Sequence, residues 1–276
     1  ARQTYESLRA RGADVRVIGV NETGEMDMES LERALADGAR LVSVMHVNGE
    51  TGAVSDIPAI HARIAGRALL HVDGVQGFLR VPFDMKSCDL YSVSAHKILG
   101  PKGVGALIYR GSVKLAPLAH GGGQEDGLRS GTEDTPGIAG FREAMRVMAE
   151  IDLDDMMATK MHLIRAFQTA VPSACINGPD PKFAAPHIVN MSFPGVRGEV
   201  MLHALEADGI YVSTGAACSS KKQKVSAVLT AMGIPQSRAE CALRFSISPY
   251  TTRAEIDVAA ESLQKNYERL KRFQRR

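Results

Sequence analysis

Short apolar runs alternate with helical patterns through the first half of this chain, and that alternation narrows its fold more than any other feature. Val15 to Val20, Leu41 to His46, Leu69 to Asp73, Asp89 to Val93 and Val104 to Tyr109 read as strands. Between them, Asp27 reads as the N-cap of a helix with Leu31, Ala34 and Leu35 on one face, and Ile57 to Ala65 as another helix. This order predicts an α/β sheet with parallel parts, covered by helices. A short Gly-Pro turn joins the last two strands, which suits antiparallel pairing.

The stretch Tyr91 to Gly105 is the centre of the pattern. A buried strand ends at Ser94 and runs into Gly100, Pro101, Gly103 and Gly105. Open α/β folds place ligands at such carboxyl edges. Lys97 sits there between His96 and the apolar pair Ile98-Leu99. A lysine against apolar surface loses hydration of its charged form, and the neutral amine can attack a carbonyl. Taken alone, the stretch fits a solvated loop lysine equally well.

The texture changes after a helix expected from Gly137 to Glu150. Helices are expected over Asp152 to Val171, Glu199 to Ala207, Lys224 to Met232 and Thr252 to Arg272, and strands over His187 to Phe193, Ile210 to Ser213 and Ala242 to Ser248. This reads as a smaller α+β unit, giving domains over 1–145 and 146–276. Net charge is +2, so no broad field points to nucleic acid or an anionic membrane. No apolar stretch is long enough to span a bilayer. Cys88, Cys175, Cys218 and Cys241 show no C-x-x-C spacing, which fits a reducing cytoplasm better than a disulfide framework. The opening Ala1-Arg2-Gln3, without Met, reads as a fragment or a trimmed chain.

Further stretches can carry chemistry. Asp73 and Gln76 close H-V-D-G-V-Q at the end of a strand, where the aspartate suits an N-cap, a metal ligand or the anion that keeps a heteroaromatic nitrogen protonated. Asn48, Gly49 and Glu50 lie in a polar turn after another strand. The glycine-rich run from His120 to Thr132 can cradle a phosphate, but it lacks the G-K-S/T of a nucleotide P-loop. Cys218 lies among small residues just before Lys221 and Lys222, the setting of a reactive thiol.

In this order the pieces closely resemble the cysteine desulfurases of the class V aminotransferase group. N-x-E-x-G at 48–52 is followed by H-V-D-x-x-Q at 71–76, then by S-x-H-K at 94–97 with G-P-K-G at 100–103. G-G-G-Q-E at 121–125, R-S-G-T at 129–132, S-T-G-x-A-C-S-S at 213–220 and L-R-F-S at 243–246 complete the series. The resemblance implies an aspartate aminotransferase-like large domain, truncated at its N-terminus, plus a smaller C-terminal domain. It implies pyridoxal 5'-phosphate on Lys97, Asp73 at the pyridine nitrogen, Gln76 at the ring oxygen, and Ser94 and His96 at the phosphate, with His96 also in the catalytic set. Thr132 would reach the phosphate of a partner subunit in a homodimer. Cys218 would accept sulfur from L-cysteine as a persulfide, leaving L-alanine. Arg244 would clamp the substrate carboxylate. The sulfur would pass to an acceptor protein for iron–sulfur cluster assembly or tRNA thiolation. Gly49 stands where the family usually has a second asparagine, with Asn48 as substitute toward cofactor or substrate. The family also carries a further segment before Ala1, with a phosphate-binding turn and a stacking histidine. The alternatives are a selenocysteine lyase or other class V lyase, and an inactive remnant that only binds partners.

Overall fold

The computed structural model describes residues 2–215 and 225–273. The chain opens with helix α1 (Arg2–Ala10), then α2 (Met28–Ala36), strand β1 (Leu41–Met45), α3 (Ile57–Ile64), β2 (Leu69–Asp73), β3 (Leu90–Ser94) and β4 (Gly105–Tyr109). It continues with α4 (Thr135–Ala149), α5 (Leu153–Ala170), β5 (Cys175–Ile176), β6 (Ile188–Ser192), α6 (Gly198–Ala207), α7 (Ala227–Ala231), α8 (Gln236–Ala239), β7 (Ala242–Ser246) and α9 (Arg253–Phe273).

The first sheet has the order β1-β2-β3-β4. Its first three strands are parallel, and β4 returns antiparallel to β3 across the Gly-Pro turn, as the sequence predicts. Asp27 caps α2 by accepting from the amides of Glu29 and Ser30, and Leu31, Ala34 and Leu35 are its buried face. Strand side chains alternate between faces. Leu70 and Val72 of β2, with Tyr91 and Val93 of β3, pack against Leu31 and Leu35 of α2, Ile57, Ile60 and Ile64 of α3, and Phe141 and Met148 of α4. Each such apolar side chain contributes about 1.5–3 kcal/mol on burial. The opposite face carries Ser43, His71 and Ser92 in a hydrogen-bonded row, each contact 2.8 Å, with Leu41, Met45, Leu69 and Leu107 exposed around it. By the same alternation Asp73 and Ser94 fall on this face, away from the helices.

The second sheet is antiparallel, β5-β6-β7. Val189 and Met191 of β6 and Leu243 and Phe245 of β7 pack on Phe167 of α5, Met201 and Leu205 of α6, and Leu263 of α9. The other face of β6 is polar. Asn177 donates to Asn190 and to the Ser192 hydroxyl, at 2.7 Å each. Helix α4 belongs to the first core and α5 to the second. We propose the α4–α5 turn, a few residues past 145, as the division between the units.

Two expected strands do not form. Val15 to Val20 has only a single bridge, Val20 to Met26, and Val17 is exposed; an extended segment without a partner strand has no ladder to join. Ile210 to Ser213 likewise contributes one bridge, Ser213 to Arg244. The helix expected over Lys224 to Met232 is shorter, starting after Ser226, whose hydroxyl accepts from the amides of Val228 and Leu229; Lys224 lies outside the described residues. No described helix is long and apolar enough to cross a membrane.

Candidate active site

Three loops meet at the carboxyl edge of the parallel strands. The first follows β2. The Asp73 carboxylate accepts from the Val75 amide at 3.1 Å, and the Gly74 amide donates to the Ser92 carbonyl at 2.9 Å. Residues 74–81 then coil into a short helical turn. Two glycines permit it. A Cβ on Gly74 would lie 2.1 Å from the Tyr91 ring, and one on Gly77 would lie 2.1 Å from His46 Nδ1. His46 and Tyr91 are themselves locked, with Nδ1 and the phenol 3.0 Å apart and Phe83 stacked on Tyr91. Burial pushes His46 down to about 4, so its ring is neutral. The turn is thereby seated on a rigid aromatic floor, and it presents Gln76.

The second loop follows β3. Ser94 Oγ and His96 Nδ1 are 2.8 Å apart, and a 3-10 turn over Ala95–Lys97 leaves Lys97 half-buried. His96 is exposed, and partial burial with the charges of Lys97 and Lys102 lowers its pKa. The apolar pair expected beside Lys97 is split: Ile98 is buried, whereas Leu99 is exposed at φ +69°. The tight turn forces Leu99 left-handed, a conformation that costs a non-glycine residue about 1 kcal/mol or more. Of that pair only Ile98 is therefore buried apolar surface next to Lys97 in the chain.

The third loop is the turn after β1. The Asn48 side-chain oxygen accepts from the amides of Glu50 and Thr51 at 2.9 and 3.1 Å, so this oxygen is spent on the turn and only Nδ2 is left toward a ligand. The Gly49 carbonyl accepts from Arg244 Nη1 at 3.0 Å. Glu50 is buried, and its carboxylate accepts from Ser226 Oγ at 2.5 Å. Arg244 sits on β7, and its backbone bridges to Ser213. Cys218, with Lys221 and Lys222, lies outside the described residues, between Gly215 and Val225.

A buried histidine joins these loops. His187 Nε2 lies 3.3 Å from Gln76 Oε1. Burial and the positive charges of Arg80, Lys160, Arg244 and Lys97 together press its pKa well below the ordinary value. Such a surplus of cations suits an anionic ligand. Thr132 and Arg129 are exposed on the glycine-rich loop, where Arg129 donates to the Ser130 carbonyl, away from the hydrogen bonds that tie the three loops together.

The sequence pattern of the class-V aminotransferases matches residues 3–258. The chain belongs to this family. Among its family relatives is the cysteine desulfurase of Nostoc sp., 37% identical over 272 residues that cover 96% of this chain and 68% of the relative. A solved NifS-like protein superposes with a TM-score of 0.86 at 33% identity, covering 95% of this chain and 70% of that one. A structure of SspA in complex with cysteine gives 0.75 at 29% identity, covering 91% and 71%. The aminotransferase-like fold and the kinship with cysteine desulfurases expected from the motifs both hold.

Arg80 and His187 carry no motif in the sequence, and Glu50, within N-x-E-x-G, has no role assigned by it. Arg80 stands four residues after Gln76, the spacing that brings two side chains to one side of a helical turn. His187 had no local signal, because its partner lies in the other half of the chain.

Proposed function

We propose that this chain carries out the cysteine desulfurase reaction with pyridoxal 5'-phosphate, taking L-cysteine to L-alanine and passing the sulfur to the Cys218 thiol as a persulfide. The carrying observation is that Arg244, from the second sheet, reaches the Gly49 carbonyl beside Gln76, which lies 3.3 Å from the buried His187, at the same strand edge from which the Lys97 loop leaves β3. An amine suited to a carbonyl and a guanidinium suited to a carboxylate come to one edge, where surplus positive charge favours an anionic cofactor and substrate.

What the bound cofactor supplies is an electron sink for the substrate's carbons. Lys97 would provide the amine that holds the cofactor and would carry protons to and from the substrate carbons. Asp73 would hold the ring nitrogen in its protonated form, and Gln76 would donate to the ring oxygen. Ser94 and His96 bind phosphate as a pair, and Asn48 Nδ2 is a further donor near cofactor or substrate. Arg244 orients the substrate carboxylate, with its guanidinium braced on the Gly49 carbonyl. The Cys218 thiolate attacks the substrate sulfur; a sulfur–sulfur bond forms as the carbon–sulfur bond breaks, its electron pair stays with the substrate carbon, and that carbon takes up a proton to give alanine. The exposure of Thr132 fits a homodimer in which it serves the partner's phosphate. The free state of Cys88, Cys175 and Cys241 supports a reducing, cytoplasmic setting. An acceptor protein would then take the persulfide sulfur for iron–sulfur cluster assembly or tRNA thiolation. A selenocysteine lyase or an inactive remnant is not favoured by relatives named as cysteine desulfurases.

Mass spectrometry after incubation with pyridoxal phosphate and L-cysteine tests the reading. One added sulfur on Cys218 is expected, with alanine released. Lys97→Ala should fold normally and lose the visible absorbance of the bound cofactor. Sulfur on another cysteine, or undiminished alanine from Cys218→Ala, would refute it.

A further inference from the structure

Gln76 carries a chemical ambiguity that only its surroundings can resolve. A carboxamide has an acceptor end and a donor end of nearly equal shape, and a neutral imidazole can serve either one by choosing its tautomer. His187 alone would leave both orientations of Gln76 available. Arg80 removes the choice. Its guanidinium only donates, and its Nη1 lies 3.5 Å from Gln76 Oε1. The end of Gln76 facing Arg80 must therefore be the oxygen. His187 Nε2 faces the same oxygen at 3.3 Å, so it must carry the ring proton. The other nitrogen, Nδ1, is then bare, which matches its lack of a hydrogen-bond partner in a residue only 2% exposed. The Gln76 nitrogen is left pointing the other way, toward Gly49, where a methyl built on that glycine would come within 3.5 Å of it.

Arg80 itself is costly to keep. It is half-buried, burial draws its pKa down to about 10, its Nε is buried without a hydrogen-bond partner, and its one side-chain hydrogen bond among the described residues goes to the neutral Gln76. Holding a cation this way without an acid costs desolvation that no ion pair offsets. A role in setting the polarity of its neighbour accounts for it.

We propose that Arg80 is a positioning residue that, through Gln76 Oε1 and the Nε2-protonated ring of His187, fixes the Gln76 carboxamide with its N–H donors toward the cofactor edge. This rests on the assignment of Gln76 to the cofactor made above.

Nitrogen NMR of the His187 ring in the cofactor-free protein reads the orientation directly. The wild type should show one tautomer, protonated on Nε2. Arg80→Met should show both tautomers, because either amide orientation then satisfies a neutral ring. Arg80→Lys, another donor without an acceptor, should restore the single tautomer. With cofactor, Arg80→Met should weaken binding about two- to five-fold, the range between a half-populated competent state and one lost hydrogen bond. A ring protonated on Nδ1 in the wild type, or an unchanged tautomer in Arg80→Met, overturns the proposal. Loss of the tautomer in Arg80→Lys also overturns it, since a donor-only group would then not suffice. Gln76→Met separates the two layers: wild-type cofactor affinity in that variant would refute the placement of Gln76, while the tautomer result would stand or fall by itself.

Discussion

Gly77→Ala tests whether the turn after β2 is seated as tightly as its contacts require. The substitution adds one methyl group to a residue whose backbone is not left-handed, so the cost is steric alone. That methyl would sit 2.1 Å from His46 Nδ1 and 2.6 Å from His46 Cγ. The His46 ring has little room to yield, being held by the Tyr91 hydroxyl at 3.0 Å and by the Phe83 ring at 4.9 Å between centroids. Overpacking of a core costs about 1–3 kcal/mol, and loss of the His46–Tyr91 hydrogen bond adds about 1. The sum, about 2–4 kcal/mol, lowers the melting temperature by roughly 5–15 °C for a chain of this size. Gly49→Ala is the control within the same site. Its methyl would meet Gln76 at an ordinary 3.5 Å, so stability should hold or rise by about 0.4–1 kcal/mol. Thermal unfolding reads stability, and titration of visible absorbance with pyridoxal phosphate reads whether Gln76 has moved with its turn. A Gly77→Ala protein within about 0.5 kcal/mol of the parent, or an equal loss in Gly49→Ala, would refute the reasoning.

Asp73→Asn should keep the shape of the edge and bind cofactor, but turnover of L-cysteine should fall strongly; wild-type turnover would remove Asp73 from the mechanism. Stability should fall as pH drops from 6.5 toward about 4, because His46 stays neutral in the fold while the unfolded chain takes up a proton. His187 acts in the same direction, and the His46 share is at most about 3 kcal/mol. Denaturant titrations across that window should show the slope, and His46→Gln should flatten it. Alkylation followed by mass spectrometry should label Cys218 before Cys88 and Cys241, which are buried, and burial raises the Cys88 thiol to about 11. Light scattering should find a dimer at concentrations where cofactor binds.

The fold was legible where local signals and long-range packing agreed. Asp27, Asp56 and Asp152 all cap helices by accepting backbone amides, and the apolar faces that follow them are buried. β2 and the antiparallel return of β4 were readable from alternation and the Gly-Pro turn. Val15 to Val20 misled because apolar residues announce an extended segment without saying whether a neighbour exists to pair with it. Leu99 misled for a related reason: its apolar character says buried, but the turn geometry between Lys97 and Gly100 turns it outward. At the site, motif order brought Asp73, Gln76, Ser94, His96 and Lys97 to one edge. It could not reach Arg80 or His187, whose meaning lies in a carboxamide orientation set between separate halves of the chain.

The contacts between those halves concentrate on the turn after β1, and their chemistry says why. Asn190 Nδ2 reaches the Glu50 carbonyl, and Arg244 reaches that of Gly49. The Gly52 carbonyl accepts from Ala185, whose own carbonyl, with that of Pro181, is held by the buried Lys160 ammonium at 2.9 Å each. Apolar surfaces would have joined the two cores more cheaply, since burial of polar groups contributes little net stability even when every partner is present. Hydrogen bonds instead fix direction. A turn with three of its carbonyls, those of Gly49, Glu50 and Gly52, each claimed by a different donor can neither slide nor rotate without breaking several bonds. That turn faces Gln76 on one side and, through Glu50 and Ser226, holds the start of α7 on the other. The segment carrying Cys218 ends at α7 and begins just after the Ser213–Arg244 bridge. The same few polar contacts that dock the second sheet on the first therefore set where both ends of the segment carrying Cys218 are anchored relative to Gln76. Substitutions among them should change cofactor binding and sulfur transfer together rather than one at a time.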